Sequence, residues 1–273
     1  MTISVLAPDL EQLKSRLKSI WMAGDYDRFS RYLEDGAREF YQRLPLVPGG
    51  RLLDVACGSG QLALMAARDG LDVTGVDIAG NLVECARSRA RHMGLHVRFE
   101  EADAEALPFD DEDFDVVTSL IGAMFAPRPD IVAAEMLRVC KPGGVIAMAN
   151  WTPQGFVGQM FKAVSKFIAP SGMPSPVLWG DEPTVRERFG LGLSDLRLIR
   201  RHYAFTYDFP PVAVVELFRR YYGPINQAFA ALDGDGRDHL RAELEALWAA
   251  HNRAGLDRTT VYGEYLEVVG IRA

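Results

Sequence analysis

Between Arg51 and Trp151 the sequence switches repeatedly between short apolar runs and amphipathic stretches, and that alternation constrains the fold more than any other feature. "RLLDVA", "LDVTGVD", "LHVRFEEAD", "DFDVVTSLIG" and "GGVIAMANW" read as strands. "GQLALMAARDG", "NLVECARSRARHMG" and "RPDIVAAEMLRVC" carry apolar residues at helical spacing, with Gly70 and Gly94 as stops. Strands alternating with helices of this length form βαβ units, whose parallel sheet is covered on both faces. Two further strands are expected over 197–207 and 262–272. The prediction is an α/β, Rossmann-like, seven-stranded, mostly parallel sheet with helices on both faces and a helical cap.

The flanks are less regular. Residues 9–44 look helical, in two pieces broken near Gly24, and "LPLVPGG" then separates them from the first strand. Residues 152–195 hold an amphipathic helix, a Pro/Gly-rich loop around Trp179 and a short helix; residues 211–253 read as two helices. One domain over 1–273 is expected. Residues 45–151 would be its ligand-binding core, and 1–44, 152–195 and 211–255 would cap the carboxyl edge of the sheet.

Composition narrows the partners. A net charge of −7 argues against a broad nucleic-acid footprint, which needs clustered Lys and Arg. The start lacks the basic and apolar regions of a secretory signal, and no apolar run is long enough to span a bilayer. Cys57, Cys85 and Cys140 are too scattered for a zinc site or a disulfide framework. A cytoplasmic protein with reduced thiols and no metal is expected.

In an open parallel sheet a ligand sits beyond the carboxyl ends of the strands, where the strand order reverses. Gly58-x-Gly60-x-x-Ala63, with Ala56 at its entrance, permits close backbone approach there, but this spacing suits a dinucleotide as well as other ligands. Asp77, ending the second strand, can accept both hydroxyls of a ribose through charge-assisted bonds of roughly 1.5–3 kcal/mol each. Both cofactor classes require such an acid. Asp54, inside the first strand, favours a cationic ligand and would repel a pyrophosphate. Asp103 and the Ala104 N–H, after the third strand, are placed to frame an adenine edge. Pro142, Gly143 and Gly144 read as turn chemistry, and His202 as a structural histidine.

Together "LLDVACGSG", "VTGVDIAGNLVECAR", "EEADAEALPFDDEDFDVV" and "RVCKPGGVIAMANW" resemble the class I S-adenosylmethionine-dependent methyltransferases, in particular the small-molecule branch that includes ubiquinone- and menaquinone-biosynthesis enzymes. A looser resemblance extends through "IWMAGDYDRF" and "ANWTPQGFVGQMF". The resemblance implies S-adenosylmethionine as cofactor and a small organic acceptor. It implies that Asp54 and Gly58 to Gly60 lie under the methionine moiety, that Asp77 holds the ribose, and that Ile78 packs on the adenine. Asp103 and Ala104 would hold the adenine amino edge, and the Ser119 and Leu120 backbone the methionine amino group. Tyr26 would close over the cofactor. Where this branch commonly carries paired histidines, the chain has Met124 and Phe125, which removes a base or metal ligand and puts both residues, with Trp151 and Trp179, in the candidate acceptor pocket. A nicotinamide-dependent oxidoreductase, a non-catalytic S-adenosylmethionine-binding protein and, more weakly, a nucleic-acid methyltransferase are the competing readings.

Overall fold

Why the chain forms a sheet is visible in its burial. In the computed structural model, which describes residues 9–168 and 172–273, β1 (Arg51–Val55) is buried on both faces after its first residue. β2 (Asp72–Asp77) and β4 (Phe114–Leu120) are nearly so, as the continuous apolar runs require. With β3 (Arg98–Glu101), β5 (Cys140–Trp151), β6 (Leu193–Tyr207) and β7 (Thr259–Arg272) they form one sheet in the order β3-β2-β1-β4-β5-β7-β6. β1 to β5 pair in parallel, Leu52 lying beside Val73 on one side and Val116 on the other. β7 runs antiparallel between β5 and β6. The sheet is therefore mixed but mostly parallel.

Right-handed crossovers put α4 (Gln61–Arg68) and α5 (Gly80–Met93) on one face of the sheet and α6 (Pro129–Val139) on the other. Strand order reverses between β1 and β4, so the ligand crevice opens there. The "CKPGG" segment begins β5 irregularly: Gly143 has φ +74° and the β4 register shifts before Val145.

Helices at the start are α1 (Leu10–Met22), α2 (Tyr26–Ser30) and α3 (Glu34–Tyr41), with the break at Gly24, whose φ is +73°. Asp25 caps α2 by accepting the Arg28 N–H at 3.0 Å. α7 (Phe156–Val164) packs on β7. Beyond β6 the structure departs from the sequence reading: residues 211–253 hold three helices, not two. α9 (Pro211–Tyr221) and α10 (Gly223–Ala230) are separated because Tyr222 is extended and Gly223-Pro224 restarts the helix. α11 (Gly234–His251) begins where Asp233 accepts the Gly236 N–H at 2.8 Å. Within 152–195, α8 (Glu182–Phe189) packs against α6, on the flank of the sheet.

Candidate active site

The crevice is built by two loops pressed together. After β1, Ala56, Gly58 and Gly60 have φ of +56°, +54° and +83°. Gly60 starts α4, and a Cβ there would stand 2.9 Å from the Phe99 ring, so only glycine fits. After β4, Ile121 has φ +53°, and a Cβ on Gly122 would stand 2.5 Å from the Ala56 carbonyl oxygen. Ser119 fixes this second loop: its hydroxyl donates to the Val55 carbonyl at 2.8 Å and accepts the Ala123 N–H at 2.9 Å.

Asp77 joins the first loop to α5. Its carboxylate accepts the Gly58 N–H and the Ala79 N–H, both at 2.8 Å, and each oxygen retains lone-pair capacity toward a ligand. Burial raises its pKa, against the pull of those backbone donors. The Tyr26 ring lies over this loop, 3.4 Å from where a Gly58 Cβ would be. At the far end Asp103 accepts the Glu105 N–H at 2.9 Å and the Lys14 ammonium at 2.5 Å. Lys14 also pairs with buried Glu105 at 2.8 Å, and Lys18 with Glu101. α1 has no fully buried residue; these ion pairs, with the Trp21 ring packed on Tyr26, Phe125 and Tyr222, hold it across the crevice.

The resulting cavity of about 840 Å³ is lined by Tyr26, Ala56, Gly58, Asp77, Ile78, Asp103, Ala104, Leu120 and Phe125, nine of the residues singled out in the sequence. Its walls also include Lys14, Trp21, Gln61, Ile121 and Gly122, none of which the sequence singled out as a site residue. A second cavity of about 650 Å³ shares Trp21, Tyr26, Gln61, Leu120, Ile121 and Phe125 with the first. Trp151 lines this chamber, together with Phe29, Tyr203, Phe205 and Tyr222. Only the side chains' convergence identifies those rings, since they come from distant segments.

Other sequence candidates stand behind the walls. Gly60 turns the backbone against Phe99, and Ser119 spends its hydroxyl on the two loops. Met124 and Trp179, each 1% exposed, line neither cavity. Trp179 packs instead on Phe189, with the Arg188 guanidinium 4.5 Å from its ring centroid. Asp54 is buried below the crevice and accepts the Ala63 N–H at 3.2 Å. Burial pushes its pKa up to about 8, so at neutral pH the carboxyl is largely protonated. Asp54 does not line the crevice; its place is under the start of α4, where burial opposes its charge.

The crevice suits an adenosine-bearing ligand. An acid stands at the end of β2 and a glycine loop leaves room for close approach; the basic side chain that lines the crevice among the described residues, Lys14, sits at the Asp103 end. Comparison with known proteins agrees. Residues 53–148 match the family described as a methyltransferase domain. The chain is 35% identical to an uncharacterized protein of Mycobacterium tuberculosis strain H37Rv, over 90% of each chain. It is 36% identical to the demethylmenaquinone methyltransferase of Thermus thermophilus, over 55% of this chain and 72% of that one. The solved YcgJ protein of Bacillus subtilis superposes with a TM-score of 0.61 at 20% identity, covering 87% of this chain and 98% of its own, which shows the shared fold. The chain belongs to the S-adenosylmethionine-dependent methyltransferases.

Proposed function

We propose that this methyltransferase acts on a small, largely apolar organic acceptor, taken up in the aromatic chamber beside the cofactor crevice. The observation that carries this reading is the shared wall: Trp21, Tyr26, Gln61, Leu120, Ile121 and Phe125 face both cavities, so a ligand in one meets a ligand in the other. A concave, ring-lined chamber fits a small molecule better than a nucleic acid, and the net charge of −7 favours the same choice.

In this reading Asp77 accepts the ribose hydroxyls, Ile78 packs on the adenine, and Asp103 with the Ala104 N–H takes the adenine edge. The Ala56 to Gly58 backbone underlies the methionine moiety. The Leu120 backbone, ending β4, accepts its amino group. Tyr26 and Trp21 close the crevice from above, and Phe125 and Trp151 bear on the acceptor. When bound, the cofactor supplies a methyl group on a sulfonium, itself a good leaving group. The protein's part is to align the nucleophile with that methyl and exclude water; orientation alone contributes up to roughly 7–11 kcal/mol. Residues 1–273 act as one domain, with 45–151 as the cofactor-binding core and the flanking helices over the chamber, in the cytoplasm and without a nucleic-acid partner. Among the described residues no helix is long and apolar enough to cross a membrane.

Incubating cell extract with the enzyme and methyl-labelled cofactor, followed by mass spectrometry, tests the reading. One new labelled small molecule is expected. Label found only in nucleic acid or protein, or no transfer at all while the cofactor binds, overturns it.

A further inference from the structure

Among the described residues that line it, the chamber has no carboxylate, histidine or amine. Its only titratable linings among the described residues are Tyr26, Tyr203 and Tyr222. Burial raises the pKa of all three phenols, so they are hydrogen-bond donors, not bases, at neutral pH. On the crevice side stand Lys14, Cys57, Asp77 and Asp103. Lys14 is paired with Asp103 and Glu105, Asp77 holds two backbone N–H groups, and burial pushes the Cys57 thiol well up.

The three tyrosines are not equivalent. The Tyr203 hydroxyl donates to the Leu33 carbonyl. Tyr222 is only 7% exposed, its side chain lines the chamber, and no described residue bonds to its hydroxyl, which is reachable from the chamber and free to donate to a ligand there. The Tyr26 hydroxyl likewise has no partner among the described residues, but Tyr26 lies over the glycine loop on the cofactor side. Its ring packs on Phe29 at 5.0 Å, Trp21 at 5.9 Å and Tyr26 at 6.4 Å between centroids. Trp21 and Tyr26 face both cavities, so Tyr222 stands one ring from the junction where methyl and acceptor meet.

A neutral alcohol entering this chamber would find no carboxylate, histidine or amine among its described linings to remove its proton. A protonated amine would meet the sulfonium as a like charge. An anion would be held by that sulfonium and by the phenol donors. We propose that the acceptor is an acidic phenol or enol bound as its anion, and that Tyr222 is a catalytic residue donating a hydrogen bond to the nucleophilic oxygen. One lone pair of that oxygen accepts from Tyr222 while another forms the new O–C bond. The C–S bond breaks as it forms, and its electron pair passes to sulfur. The two opposite charges cancel, and no proton is left to be placed.

The inference rests on the methyltransferase reading, and calorimetry separates the two. S-adenosylhomocysteine is first titrated into the wild type and Tyr222→Phe; both should bind it equally. 4-Hydroxycoumarin (an acidic enol) and coumarin are then titrated in the presence of sinefungin, whose amine carries the positive charge without a transferable methyl. The enol should bind at least tenfold more tightly than coumarin. It should also bind more tightly with sinefungin than with neutral S-adenosylhomocysteine. Tyr222→Phe should weaken the enol by about ten- to a hundredfold and leave coumarin unchanged. The pH midpoint of enol binding should move upward when umbelliferone, a weaker acid, replaces 4-hydroxycoumarin. Equal binding of enol and coumarin, an unaffected Tyr222→Phe variant, or a midpoint that ignores the probe overturns the proposal. Failure of the wild type to bind S-adenosylhomocysteine overturns the cofactor reading beneath it.

Discussion

The cofactor crevice and the aromatic chamber share a wall, yet they are made in opposite ways. The crevice is a product of backbone: left-handed residues at Ala56, Gly58 and Ile121, a close approach at Gly122, and carboxylates that bind N–H groups. Each piece lies within a few residues of a strand end. The chamber is a product of side chains: rings from α2, β5, α7, β6 and α9 meet although up to about two hundred residues separate them in sequence. A backbone device constrains residue type tightly, since one added Cβ collides. A wall of rings tolerates exchange as long as volume is kept. The first region therefore suits a ligand that never varies, and the second an acceptor that can differ between relatives.

Substitutions that add atoms test this contrast most strongly. Gly122→Val puts atoms onto the Ala56 carbonyl and should cost about 3 kcal/mol in denaturant unfolding and abolish S-adenosylhomocysteine binding. Val157→Phe also adds bulk, but at a side chain that lines the chamber. It should lower methyl transfer at least tenfold with cofactor affinity and melting temperature nearly unchanged. If both substitutions damage cofactor binding alike, the division between the two regions fails.

That division also explains what the sequence disclosed. Strands β1, β2, β4 and β5 were legible because each is built around an apolar run, β3 because it follows the Gly94 stop, and Asp77 and Asp103 because they stand at or just beyond a strand end. β6 and β7 were expected near their observed positions, though β7's antiparallel place between β5 and β6 comes from pairing that no local pattern encodes. The third helix in 211–253 was hidden by continuous apolar spacing across Tyr222. Lys14 and Tyr222 escaped notice because their relevance depends on packing across the fold, to Asp103 and to Trp21 respectively. Asp54 was legible as a residue but not as a charge, since its burial pushes the pKa up to about 8.

This last point gives a smaller effect. Between about pH 4 and pH 8 the folded protein keeps a proton on Asp54 that the unfolded chain has lost, so stability falls as pH rises through that window. Asp54→Asn, which can still accept the Ala63 N–H, should flatten the dependence and melt several degrees above the wild type at pH 8. Parallel slopes for the two proteins in a pH series of melting curves would contradict it. Smallest of all should be Lys14→Ala. Its ion pairs are largely shielded from solvent, but Glu105 keeps a second partner in Arg128, so S-adenosylhomocysteine affinity should change only a fewfold.

The account turns on Asp77 as the anchor of the cofactor. Calorimetric titration of S-adenosylhomocysteine into wild type and Asp77→Ala, with melting curves to confirm that both are folded, measures this directly. A ten- to hundredfold weaker affinity in the variant is predicted. Equal affinity in a folded variant would mean that the ligand lies elsewhere, and the crevice assignment would be wrong.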